Sequence, residues 1–230
     1  MSVPSLPPDA IPPAAAIRPT GMGHPARPVR HGSARKACRP LLALGLLAAV
    51  GLPAAAQDFM GLDLGMTRAE AEARNGPPAR TGPANPGYAS ALWVQPGGNE
   101  LSVTHDASGR IVYMETFRGE RAPPSTGPGV RFGATARAEF LQGVGSAGLV
   151  FPGRGPSVDF GGGTAHFHSY EIAGRPGAVV TFVFLAEAGS SADTALLDSV
   201  VVSDIAYQSA IWGGAPQAVD AAYRPLDIDF

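Results

Sequence analysis

Gly61-Leu62-Asp63-Leu64-Gly65-Met66-Thr67-Arg68-Ala69-Glu70 is the stretch on which the reading of the fold turns, because a version of it returns as Gly129-Val130-Arg131-Phe132-Gly133-Ala134-Thr135-Ala136-Arg137-Ala138-Glu139. The two phrases keep glycine, an apolar residue, glycine and threonine in step. Self-similarity at a fixed spacing predicts one supersecondary unit used twice. In the first copy Thr67 is placed to cap a helix over 68–74. Glu70, three residues on, completes a capping box. Asn75-Gly76-Pro77-Pro78 then stops the helix, since glycine accepts the left-handed cap and proline cannot continue the turn.

Three strand-like runs follow, at 88–95, 100–105 and 110–118. Pro96-Gly97-Gly98-Asn99 and Asp106-Ala107-Ser108-Gly109 have hairpin composition. The proline-rich stretch 119–128 reads as a linker. In the second copy Thr135 is expected to cap a helix over 136–142, before runs at 148–151, 157–160, 165–172, 178–186 and 197–206. Helices of about two turns are unstable alone, so each must lie on a sheet face. The expectation is an α+β fold of two tandem helix-plus-antiparallel-sheet repeats, 57–118 and 129–206, with a C-terminal tail over 207–230.

Upstream, residues 1–34 are rich in Pro, Ala, Gly and Arg without apolar periodicity, and read as a disordered basic leader. Residues 35–56 read as a signal peptide. Arg35, Lys36 and Arg39 precede the apolar run 41–52, and Ala54-Ala55-Ala56 ends it, placing cleavage between Ala56 and Gln57. The run is shorter than the roughly 20 residues of a membrane span, so a membrane contact is expected only if the segment stays uncleaved. Met22 offers an alternative start that would shorten the leader.

Arg18, Arg27, Arg30, Arg35, Lys36 and Arg39 set against Asp9 make residues 1–56 basic, so the overall charge of −2 hides an acidic remainder. An acidic exported part argues against nucleic-acid binding, which needs clustered cations. The single cysteine, Cys38, precedes the apolar run and is not placed for lipid attachment. After cleavage there is no disulfide, thiolate metal site or cysteine nucleophile. The expected location is a bacterial periplasm or the exterior.

Gly-x-Thr opening a short helix, then Gly76-Pro77, then 102–112 with its Asp106-Ala107-Ser108-Gly109-Arg110-Ile111 turn, resembles the BLIP-like / SmpA–OmlA group. That group includes the small lipoprotein of the outer-membrane barrel-assembly machinery and the secreted β-lactamase inhibitor proteins. Gly133, Thr135 and 197–202 match it more loosely. The resemblance implies binding rather than catalysis, with a concave sheet offered to a protein partner. The chain departs from it in lacking a lipobox cysteine and the cysteine pairs of the inhibitors.

For chemistry, His166 and His168 alternate onto one strand face with Tyr170 next along it. With His105, they are the weak candidates for a metal site. No Gly-x-Ser-x-Gly elbow surrounds any serine. No cofactor is expected. Trp93, Tyr113, His166, His168 and Tyr170 are the candidate partner-binding residues. The expected function is a non-catalytic one: contacting a protein or envelope component across a sheet surface. The alternative is a metal-dependent or hydrolytic envelope enzyme using the His166/His168 strand.

Overall fold

A computed structural model of the chain describes residues 59–119 and 130–228. The leader, the signal segment with its Ala56–Gln57 junction, and most of the linker lie outside the described residues. In chain order the elements are α1 (Arg68–Asn75), β1 (Arg80–Pro83), β2 (Ala89–Val94), β3 (Glu100–His105), β4 (Ile111–Phe117), α2 (Arg137–Val144), β5 (Leu149–Val150), β6 (Ser157–Phe160), β7 (Gly163–Glu171), β8 (Ala178–Glu187), β9 (Leu196–Asp204), α3 (Ile205–Trp212) and β10 (Gln217–Ala218).

The strands form one antiparallel sheet in the order β1-β2-β3-β4-β9-β8-β7-β5-β10, with β6 paired to β7. This corrects the expectation of two tandem helix-plus-sheet repeats. No seam divides the sheet: β4 pairs β9 from Tyr113↔Ser203 to Phe117↔Ser199. The second Gly-x-Thr phrase also behaves differently from the first. The Thr67 hydroxyl accepts from the Glu70 backbone N–H, and the Thr67 backbone N–H donates to the Glu70 carboxylate in return, a complete capping box. Thr135 instead accepts from the backbone of Arg131 at 2.7 Å, and the N-cap of α2 falls one residue later, on Ala136, with no side-chain cap. The extra residue moves the cap out of register. Where the end of a strand and the start of a tail were expected, Asp204 caps α3 by accepting from Ala206 and Tyr207.

Pleating sorts the side chains onto two faces. On the inner face, register aligns Trp93, Leu101, Thr116, Val200, Phe182 and His168, and a parallel row runs Ala91, Val103, Met114, Val202, Val180, Tyr170. These rows join one hydrophobic core with Phe59, Leu62, Ala71 of α1 and Phe140 of α2, while Tyr223, Leu226 and Ile228 pack against its margin. Phe140 is the anchor of α2. Its ring lies 4.6 Å from Phe182 and 5.2 Å from Phe184. β8 is buried on both faces along nearly its whole length, as a central strand must be. At the other end of β7, a side chain at Gly163 would collide with the Ala186 carbonyl, so only glycine lets these backbones approach.

Candidate functional site

The histidine strand is built into the inner face. Arg137, in the first turn of α2, donates from Nε to Nε2 of His168 at 2.8 Å. An arginine cannot accept, so Nε2 is the bare nitrogen and Nδ1 carries the proton. That Nδ1–H donates to the Ala147 carbonyl at 3.0 Å. Burial pulls the His168 pKa down to about 4 against the favourable pull of the Ala147 bond. His166, half-buried, is shifted down in the same direction by burial and by Arg137. His105 sits on β3 with β4, β9 and β8 between it and β7. At about 4.8 Å per strand it stands roughly 19 Å away from the pair. Among the described residues no three His, Cys, Asp or Glu side chains gather as a metal set. His168 has both nitrogens engaged, and Ser169 beside it points to the opposite face, against Thr181.

The five candidate binding residues do not form one patch. Trp93, His168 and Tyr170 lie in the core. The Trp93 indole donates to Gly76 at 3.1 Å and pins the end of α1, and the Tyr170 hydroxyl donates to Ser146 at 2.7 Å. Their size and aromaticity mark them equally well as anchors of packing, and packing takes them. His166 is half-buried on the inner face, whereas Tyr113 is half-buried on the outer face, so they address different surroundings.

The outer face carries the cluster that sequence reasoning missed. Its rows run Leu92, Ser102, Glu115, Val201, Thr181, Ser169, and Val94, Glu100, Phe117, Ser199, Val183, Phe167. Helix α3 crosses part of it. The Tyr207 ring meets Tyr113 at 5.9 Å, Gln208 donates to Thr181 at 3.1 Å, and Trp212 sits 5.5 Å from Phe167. Glu115 accepts from the Tyr113 hydroxyl at 2.8 Å and from Ser199 at 2.8 Å. Burial, then the Glu115 charge, raises the Tyr113 pKa well above the ordinary phenol range, so it stays a donor. Arg154, from the loop after β5, lays its guanidinium 4.5 Å above Phe167 and 5.3 Å from Trp212. Burial lowers its pKa while the neighbouring Tyr113 and Glu115 act the other way. Asp198, at the irregularity where β9 meets β8, is raised by burial against the pull of Arg118.

Chemically, Glu115 has both oxygens occupied by hydroxyl donors, and the Tyr113 phenol is kept protonated. The cluster therefore presents fixed donors, acceptors, aromatic edges and charge beside α3. The sequence signal that could have led here is Asp204 ahead of Ile205-Ala206-Tyr207-Gln208, with Gly213-Gly214 closing the turn. Beyond α3 the face stays open. Val94 (56% exposed), Phe160 (43%) and Leu196 (41%) all occupy outer-face positions: Val94 opposite Glu100, Phe160 opposite Gly163, and Leu196 opposite Leu185.

No protein-family model matches the chain, and no curated protein matches it. Among solved structures it is similar to an extracellular protein containing an SCP domain from Bacillus anthracis str. Ames, at 13% identity and TM-score 0.40, over 63% of this chain and 45% of that one. The chain thus spans less than half the length of that protein. A DUF4309 family protein from Bacillus subtilis subsp. subtilis str. 168 matches at 16% identity and TM-score 0.38, over 60% of this chain and 78% of that one. A cysteine-rich secretory protein from Staphylococcus aureus subsp. aureus Mu50 matches at 12% identity and TM-score 0.38, over 70% and 50%. Among the described residues no helix is long and apolar enough to cross a membrane.

Proposed function

We propose that the chain is an exported, non-catalytic binding protein that contacts a protein or envelope component across the outer face of its sheet. One observation carries this reading. The inner face is closed by α1, α2 and the C-terminal segment, whereas the outer face leaves Val94, Leu196 and Phe160 open to water. Spread across the width of the sheet, these three side chains offer a broad partner separate apolar contact points. The polar cluster beneath α3 gives that surface a fixed shape, which lowers the ordering cost of binding. Export rests on the basic cluster, the apolar run and the alanines before Gln57.

Site-specific photocrosslinking in cells making the full chain tests the reading. A crosslinking residue at Val94 or Leu196 is expected to yield discrete adducts. One at the exposed Glu139 of α2, over the inner face, is expected to yield none. Adducts only from Glu139, or none from the outer face, would refute it.

A further inference from the structure

Two carboxylates, Glu100 and Glu187, flank the open apolar residues of the outer face, and the Arg80 cation stands one strand beyond Val94. In one row Glu100 stands between Val94 and Phe117. In another, Glu187 faces Gly163, which faces Phe160; glycine leaves a gap between carboxylate and ring. Leu196 and Leu185 pair between these two groups. The sequence of features is apolar–acid, apolar, acid–apolar, over seven strands, or about 29 Å at 4.8 Å per strand. Of the cations of this face, Arg154 is engaged and Arg80 lies at one end of the strip. Arg154 is stacked on Phe167 and Trp212 beside Glu115. Arg80 faces Leu92 from β1, next to the Val94 end of the strip.

From this we infer that the surface takes a cationic, partly apolar polypeptide segment, with arginine or lysine side chains meeting Glu100 and Glu187 and apolar side chains covering Val94, Leu196 and Phe160. The inference rests on the binding role proposed above and names the chemistry of the partner. An anionic segment would place like charges against both glutamates over an apolar floor, where desolvation makes repulsion costly. An extended segment of about nine residues spans the strip.

The test uses the full chain and three nonapeptides that share valine and leucine positions. Arginine, glutamine or glutamate occupies positions one, five and nine. Methyl NMR shifts at Val94, Leu185 and Leu196 report the location of binding, and titration reports affinity. The arginine peptide is expected to shift those methyls, and the glutamate peptide is not. A Glu100→Gln/Glu187→Gln double variant is expected to weaken the arginine peptide by roughly five- to tenfold, with the same trend on raising salt. Both residues are at the surface, so the variant retains the fold, and its unchanged inner-face methyls verify this.

Equal binding of all three peptides at these methyls overturns the inference while leaving the outer-face role standing. Arginine-peptide binding that ignores the double variant, or no shift at these methyls, also overturns it. So does a dimer in sedimentation that Val94→Ser/Leu196→Ser abolishes, which would make a second copy the occupant. The binding role itself falls only with the crosslinking result.

Discussion

Replacing Phe140 by alanine removes the one fully buried side chain of α2. The ring is 3% exposed and meets four others: Phe182 at 4.6 Å, Phe184 at 5.2 Å, Tyr170 at 6.2 Å and His168 at 6.3 Å. Truncating a buried phenylalanine costs about 3–5 kcal/mol through lost transfer energy and the cavity left behind. Eight residues of helix cannot persist undocked, and Leu141 and Val144 are only partly buried. The cavity therefore opens along the helix rather than closing. We expect a loss of about 4 kcal/mol, and a fall in Tm of about 12 °C for a domain of this size. Urea unfolding followed by circular dichroism measures the first, and a thermal scan the second. Phe140→Leu should lose less than half as much, and Glu139→Ala, its exposed neighbour, under about 0.5 kcal/mol. A Phe140→Ala loss below about 1.5 kcal/mol would refute the idea that this ring seats α2 on the sheet.

His168 supplies a pH test. Its folded pKa is drawn from 6.5 to about 4 by burial, so the unfolded chain binds the proton first as pH falls. Its contribution is complete above pH 6.5, declines between 6.5 and 4, and levels off below that. The decline amounts to as much as about 3 kcal/mol. Urea midpoints at pH 7 and pH 5 should differ less in His168→Gln than in the natural chain; an identical difference would contradict the assignment. Gly163→Ala should cost roughly 1–3 kcal/mol, because its Cβ meets the Ala186 carbonyl. Gly161→Ala, where a Cβ meets nothing within 4 Å, should fall within about 0.5 kcal/mol of the natural chain by the same unfolding assay.

How legible each part was in the sequence depends on how local its cause is. The α1 capping box was readable because Thr67 and Glu70 need only each other. The bounds of β3 and β6 were readable because turn residues flank them. β1 was missed: Arg80-Thr81-Gly82-Pro83 has the composition of a loop, and it becomes a strand only by pairing with β2. The Thr135 cap was misplaced by one residue because the phrase looks the same whether or not the helix starts in step. α3 was read as the end of a strand and the start of a tail. Ile205–Trp212 is apolar on several sides, so it carries no helical stripe to distinguish it. The outer-face cluster escaped notice because Glu115, Arg154, Ser199 and Gln208 are far apart in the chain.

Taken alone, the residue order determined the short-range features: hairpin turns, the first helix cap, the run of strands, the charge balance and the absence of cysteine beyond residue 38. Only the tertiary structure decided that the strands form one uninterrupted sheet, that His168 and Tyr170 belong to the core, and that Val94, Leu196 and Phe160 are left facing water. The physical reason is that strand alternation divides side chains between two faces without saying which face will be covered. In β8 both faces are apolar, and the choice falls to whichever distant segment packs there: Phe140 on one side, Gln208 on the other.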